Sequence, residues 1–132
     1  MSTEAAVVLN LVGEVLYWHL PKNRGTTYIP DTRTLWEVLW QYRGNLGAVV
    51  HSHPGKGLPG PSGTDITTFA AVEAALGKRI RWGIITYDQL AYFEWKGPGE
   101  HDYICTDQQN FDITLKWLKD LHTHSYGGIQ NG

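Results

Sequence analysis

The stretch AVVHSHPGKGLPGPSGTDITTF, residues 48–69, joins an apolar run to a helical pattern through a loop rich in glycine and proline. The β-branched run LGAVVHSH, residues 46–53, predicts a short buried strand. Residues 55–63 contain four glycines and two prolines, a composition that is typical of a loop. From Thr64 or Asp65 onward, apolar residues recur at helical spacing and predict a helix. A strand, a stiff loop and a helix in this order indicate part of a mixed α/β fold.

The segments on either side predict the rest of the fold from their periodicity and turn residues. Further strands are predicted as a hairpin over 5–21 that turns at 12–14, as a pair at 80–88 and 90–97, and as a short strand at 101–106. Further helices are predicted at 31–43, capped by Asp31 or Thr32, and at 107–124, with an apolar stripe of Phe111, Leu115, Leu118 and Leu121. We expect an α/β (α+β) architecture in one domain, residues 1–125, followed by a loose polar tail at 126–132.

The composition excludes several classes of protein. The chain has 132 residues, 18% of them charged, and a net charge of −2, which argues against a basic surface that binds nucleic acid. No run approaches the roughly 20 apolar residues of a membrane span, and the N-terminal residues lack the pattern of a signal peptide. Cys105 is the only cysteine and is predicted to be a small buried residue. We expect a cytoplasmic protein, in a reducing compartment, that binds neither nucleic acid nor membranes.

His51 and His53 stand at the end of the predicted strand 46–53, where alternate residues project to the same face, so their imidazoles lie close together. Imidazole is a common zinc ligand, and the loop after His53 can bring Asp65 to the same place. Two histidines and one carboxylate leave one position open on a tetrahedral zinc, as in catalytic rather than structural sites. Such an ion activates water for hydrolysis, and the Ser62 hydroxyl is a candidate donor to the oxyanion of an attacked carbonyl.

Each half of this pattern has a purely structural explanation when it stands alone. An isolated His-x-His usually consists of surface or core histidines, and Ser-x-x-Asp before an apolar run is usually a helix N-terminus. Their occurrence together within fifteen residues, 51–65, favours the metal site. His122 and His124 repeat the first motif on a predicted helix, where residues two apart point about 200° apart and are poor co-ligands. His19 is predicted to be structural.

With HSHP at 51–54 and SGTD at 62–65, the sequence resembles the JAMM (MPN/JAB) metalloprotease family. The signature of that family is a glutamate, then His-Ser/Thr-His-Pro, a loop, and Ser-x-x-Asp. LPKN at 20–23 is similar to the family's Leu-Pro-x-Asn loop after the second strand. The resemblance implies a cytidine-deaminase-like curved mixed sheet flanked by helices, and the small size without insertions resembles bacterial or phage-type members.

The resemblance implies zinc ligands and an oxyanion donor at His51, His53, Asp65 and Ser62. It also implies a glutamate near the start of the first strand that serves as general base. Glu4 stands there and suits the geometry better than Glu14, which follows the predicted hairpin turn at the far end; Glu14, or no glutamate at all, remains the alternative. Glu37 and Glu73 are expected to be solvated helix residues. The sequence departs from the family in one respect, since the eight residues 54–61 between the second histidine and the serine are one more than usual.

The residues and the resemblance together predict a zinc-dependent metallopeptidase or isopeptidase that hydrolyses a peptide or isopeptide amide bond. The resemblance implies protein or peptide substrates, typically ubiquitin-like proteins. One alternative is an MPN-type binding or scaffold module with weak or no catalysis. Another is a zinc hydrolase that acts on a small molecule, although the absence of Cys-x-x-Cys argues against a zinc nucleobase deaminase.

Overall fold

The computed structural model describes residues 3–25, 31–97 and 102–127. The strands are β1 (Ala6–Asn10), β2 (Val15–His19), β3 (Leu46–Ser52), β4 (Arg81–Ile85), β5 (Gln89–Trp95) and β6 (Tyr103–Asn110). The helices are α1 (Arg33–Gln41), α2 (Gly63–Leu76) and α3 (Lys116–Tyr126). Within these ranges, no helix combines the length and the apolarity that crossing a membrane requires.

The six strands form one mixed sheet in the order β2-β1-β3-β4-β5-β6. β3 and β4 run parallel, and the other neighbouring pairs are antiparallel. Because parallel neighbours cannot be joined by a tight turn, they need a crossover, and α2 supplies it. The predicted mixed α/β (α+β) class is therefore confirmed.

The two faces of the sheet bury separate apolar clusters. On one face, Val8 packs in a cluster with Leu39 of α1 and Phe69 of α2. On the other face, Val7 belongs to a cluster that includes Leu118 of α3. Successive residues of a strand point to opposite faces, which is why the adjacent valines of β1 serve different clusters. Helices α1 and α2 thus cover one face of the sheet and α3 covers the other.

The ends of the helices coincide with residues suited to capping. Thr32, rather than Asp31, caps α1, and its side chain accepts a hydrogen bond from the Leu35 amide. Ser62 caps α2, so this helix begins slightly earlier than the sequence predicts. It ends as predicted at Gly77, whose φ of 68° is the left-handed conformation that glycine adopts without strain.

The predicted helix over 107–124 is wrong in its first half. Residues up to Asn110 belong to β6, which pairs with β5 through backbone hydrogen bonds, and Asp112 then forms a turn by accepting a hydrogen bond from the Thr114 amide. β6 is an edge strand whose side chains are mostly exposed, so its polar sequence carries no strand periodicity. Leu115, assigned to the apolar stripe, is 37% exposed and precedes the helix.

Three further assignments differ from the structure. Cys105 is exposed rather than buried, because β6 lies at the edge of the sheet. Glu73 is only 3% exposed rather than solvated; Glu37 is exposed as predicted. The carboxylate of Glu73 accepts hydrogen bonds from Arg79, Ile80, Trp82 and Tyr103. Helix α3 includes Tyr126, the first residue of the predicted tail, and residues 128–132 lie outside the described ranges.

Candidate metal centre

His51 and His53 present their imidazoles on the same side of β3, as the alternation of a strand requires. Their Nε2 atoms are 3.0 Å apart. Ser52, between them, points to the opposite face, where its hydroxyl accepts hydrogen bonds from the Ala5 amide and from Ser125. His53 lies one residue beyond β3, but its amide donates to the Ile85 carbonyl and so stays aligned with β4.

Asp65 completes the cluster from the first turn of α2. Its Oδ2 is 2.9 Å from Nε2 of His53, and its Oδ1 is 3.4 Å from Nε2 of His51. Ligand atoms on a tetrahedral zinc, each about 2.0–2.1 Å from the ion, are about 3.3 Å apart. Each imidazole faces a different oxygen of Asp65, and with one ligand atom taken from each residue the three atoms lie within 4.8 Å of one another, which is close enough for all three residues to bind one ion. Among the described residues, this is the group with the geometry of a metal site.

The long loop at 54–61 reaches the cluster because it is fastened to the turn between β4 and β5. The Tyr87 amide donates to the Gly55 carbonyl, and the Gly57 amide donates to the Asp88 carboxylate. Gly55 and Gly57 have φ of 90° and 93°, which favours glycine at both positions.

A reciprocal capping interaction fixes the Asp65 carboxylate. The Ser62 hydroxyl accepts from the Asp65 amide at 3.0 Å, while the Ser62 amide donates to Oδ2 of Asp65 at 2.9 Å. The structural and the metal-binding explanations of Ser-x-x-Asp are therefore compatible, because the cap orients the candidate ligand. Ser62 is exposed, and the cap uses a lone pair of its hydroxyl oxygen, so its O–H bond is available to donate elsewhere.

The cluster is strongly coupled electrostatically. Burial by itself raises the pKa of Asp65, but hydrogen bonds from His51 and His53 outweigh it and hold that pKa well below its usual range. Burial by itself lowers the pKa of His53, but the hydrogen bond and the charge of Asp65, together with the charge of Glu4, leave it raised. A group of two imidazoles that share one carboxylate is suited to a divalent cation, which replaces the bound proton.

Glu4 lies beside this cluster and is only 7% exposed. The chain around it is held in place: the Glu4 amide donates to the Gly25 carbonyl, and the Thr3 amide donates to the Ser125 carbonyl. Burial raises the pKa of Glu4, an effect that the neighbouring histidines oppose and Asp65 reinforces. A fraying terminus is therefore not the environment of this carboxyl group.

Glu14 lies at the other end of the sheet. β1 pairs antiparallel with β3, so that Ala6 is opposite His51 and Asn10 is opposite Leu46. Glu14 follows β1 beyond Asn10, is exposed, and accepts a hydrogen bond from the Asn10 side chain. Of the two candidate glutamates, the structure brings Glu4 alone to the histidines.

Helix α3 supports the centre from behind, a contribution that the sequence analysis missed. The Tyr126 hydroxyl donates to the His53 carbonyl at 2.5 Å, and Ser125 bonds to Ser52. Burial, followed by the charges of Glu4 and Asp88, raises the pKa of Tyr126 and keeps it a hydrogen-bond donor. Nothing in the local sequence predicts these contacts, because they join residues 73 positions apart.

The remaining histidines that the sequence analysis weighed do not join the cluster. His122 is buried against aromatic rings, and its Nε2 is 2.8 Å from the Tyr87 carbonyl. His124 contacts the ring of Trp18. His19 is buried on the face that His51 occupies, but Ala6 lies between them in the register, so the strand spacing puts them roughly 10 Å apart. His19 is thus too far from His51 to bind the same ion, although both side chains lie on the same face of the sheet.

No protein-family model matches the chain, and no curated protein matches it significantly. The chemistry available to the site therefore follows from its geometry and from the motifs that it contains.

Proposed function

We propose that the chain is a zinc-dependent metallopeptidase of the JAMM type, which hydrolyses a peptide or isopeptide amide bond. The observation that carries this proposal is the convergence of His51, His53 and Asp65, whose ligand atoms lie within 4.8 Å of one another, beside the buried carboxyl group of Glu4. A two-histidine, one-carboxylate set with a neighbouring acid–base group is the composition of a hydrolytic zinc site.

Zinc bound by these three residues would supply a water of lowered pKa and polarise the amide carbonyl. Asp65 would supply a carboxylate oxygen to the ion, and the Ser62 amide, which donates to Oδ2, would help to hold that carboxylate in place. Ser62 would then offer its hydroxyl hydrogen to the oxygen on which negative charge develops. The hydrogen bond from the Tyr126 hydroxyl to the main-chain carbonyl of His53 would limit movement of His53.

Glu4 would hold and move the proton. The pKa of Glu4 is raised towards neutral pH. A general base with such a pKa can accept a proton from water and return it to the leaving amine. Burial that excludes bulk water also limits loss of this proton to solvent. We also propose a cytoplasmic setting, since Cys105 is an exposed thiol and the chain has no second cysteine to pair with it.

The proposal is tested by metal analysis and hydrolysis assays on the same purified proteins. Wild-type protein grown with zinc should contain one zinc per chain and cleave either unstructured peptides or a ubiquitin-like protein with a C-terminal extension. His53→Ala and Asp65→Ala should lose stoichiometric zinc. Glu4→Gln should retain zinc and lose at least about 100-fold in kcat, the usual contribution of a general base.

Glu14→Gln is the matched control, because it removes the same charge from the far end of the hairpin and should leave zinc content and kcat unchanged. Wild-type protein without zinc would contradict the ligand assignment. Stoichiometric zinc without hydrolysis of any substrate would instead favour a binding or scaffold module.

A further inference from the structure

A cleft of about 580 Å³ opens directly beside the candidate metal centre. Glu4, His19, His51, His53 and Asp65 line one part of it. The rest is lined largely by apolar side chains from α1, α2 and β4, namely Leu35, Trp36, Leu39, Phe69, Val72 and Trp82. Its volume falls within the range of clefts that bind small organic groups, about 300–1,000 Å³.

The cleft exists because α1 does not close completely onto the sheet. Leu39 is the residue of α1 that is fully buried, whereas Leu35 and Trp36 are only half-buried. In the sheet below, Ala6 separates His19 from His51, and its single methyl group leaves room that a larger residue would fill. The apolar wall is therefore accessible from the position where a scissile bond would lie.

The charges around the cleft restrict what can enter it. Among the described residues that line it, the acidic ones are Glu4, Asp31 and Asp65, and none is lysine or arginine. Away from the zinc ion that the proposed function places on His51, His53 and Asp65, the described lining of the cleft has no cation to pair with a carboxylate or phosphate. The apolar wall would leave a buried polar group without hydrogen-bond partners, which is costly. The occupant that fits is neutral and apolar.

We propose that this cleft binds a bulky apolar side chain, aliphatic or aromatic, of the residue adjoining the scissile amide. The inference rests on the proposed hydrolytic function and specifies its substrate class: peptides or isopeptides with a residue such as leucine or phenylalanine beside the bond, in preference to glycine. An aromatic side chain has about 150–250 Å² of surface to bury, and it would contact mainly the half-buried Leu35 and Trp36, because Phe69 and Trp82 are buried and stacked on each other.

The first test measures hydrolysis of acetylated peptides that differ only in the residue beside the cleaved bond. Phenylalanine, leucine, glycine and aspartate are placed on the acyl side in one series and on the amine side in another. In one of the two series, kcat/KM should be at least about tenfold higher for phenylalanine or leucine than for glycine, and lowest for aspartate. Equal rates for glycine and phenylalanine in both series would overturn the inference and leave the proposed function intact.

Leu35→Trp fills the half-buried mouth of the cleft without altering a residue of the metal centre. It should abolish the preference for phenylalanine, because kcat/KM should fall at least about tenfold more for the phenylalanine peptide than for the glycine peptide. Trp40→Phe is the matched control, because Trp40 lies on the same helix but is 54% exposed and does not line the cleft. Retention of the preference in Leu35→Trp would contradict the assignment.

A binding experiment separates this inference from the proposed function. Zinc-loaded Glu4→Gln protein is titrated with N-acetylphenylalaninamide and N-acetylglycinamide, and amide shifts are followed by NMR. The phenylalanine compound should shift resonances of α1 and α2 and bind at least about fivefold more tightly, with the difference lost in Leu35→Trp. This result supports the cleft even if no peptide is hydrolysed, and indistinguishable binding of the two compounds overturns it.

Discussion

His53 is the residue on which the most interactions of the site converge. Its imidazole contacts His51 and Asp65, its carbonyl accepts a hydrogen bond from Tyr126, and its amide donates to β4. The carboxylate and the nearby Glu4 raise its pKa, so that without a metal a proton is retained there more strongly than in the unfolded chain. A zinc ion bound as proposed would therefore compete with a proton for the same nitrogen atom.

This competition predicts the pH dependence of the metal-free protein. Because the pKa of His53 is raised in the folded state, its contribution to stability is complete below the unfolded value of 6.5 and is lost as the pH rises through the folded value. Urea unfolding in EDTA between pH 6.5 and 8 should show this loss. His53→Gln is the reference variant, and the measured quantity is the difference in free energy of unfolding between wild type and this variant. An increase of this difference as the pH rises would contradict the prediction.

At the scale of the elements, α2 contributes both a crossover and a ligand. The helix connects the parallel strands β3 and β4, and its N-terminal cap is also the interaction that orients Asp65. The helix N-terminus favours a carboxylate through its partial positive charge, so the position suits Asp65 even before a metal binds. Ser62 thus has a structural function alongside its proposed catalytic one.

Substitutions of Ser62 separate these two functions. Ser62→Gly should cost only a few tenths of a kcal/mol, and Ser62→Ala about 1 kcal/mol, because glycine is tolerated at a cap and alanine is not. Both remove the hydroxyl, so both should lower kcat by a similar factor, about tenfold or more. Ser62→Thr should retain stability and most of the activity. The free energy of unfolding of each variant is measured by urea unfolding. If kcat fell in proportion to this stability across the three variants, Ser62 would act as a helix cap and not as an oxyanion donor.

At the scale of the whole molecule, the residues of the candidate metal centre belong to neither of the two apolar clusters. Apolar clusters cover both faces of the sheet, and His51 is the candidate ligand that is buried. The sheet and helices therefore do not need an ion to bury their apolar surface. In this respect the protein differs from small domains that are unfolded without zinc.

Removal of zinc should accordingly leave a folded protein of lower stability. Binding to the native state alone stabilises it by about 4 kcal/mol when free zinc is 1,000 times Kd. EDTA treatment should preserve the far-UV circular dichroism spectrum and cooperative melting while lowering Tm, and added zinc should restore Tm. His53→Ala should melt at the same temperature with and without zinc; loss of the spectrum in EDTA would contradict the prediction.

The sequence by itself determined the elements whose signals are local. The apolar run that ends in HSH predicted β3, the glycine–proline loop predicted the connection, and the helical spacing from Thr64 or Asp65 predicted α2 to within two residues of its start. Strand alternation, together with the short chain distance to Asp65, was enough to predict that the two imidazoles and the carboxylate converge. The physical reason is that hydrogen-bond geometry, backbone conformation and side-chain direction over a few residues depend little on distant contacts.

Only the tertiary structure decided what depends on neighbours far along the chain. β6 continues to Asn110, beyond the predicted strand at 101–106, because an edge strand forms by backbone pairing with β5 and needs no apolar pattern. Glu73 is buried and Tyr126 is partly buried because residues outside their own helices accept or donate their hydrogen bonds. The tertiary fold likewise brought Glu4, and not Glu14, to the histidines, since strand pairing sets which end of β1 meets the end of β3. Burial and register are properties of several segments packed together, so no single segment of the sequence contains them.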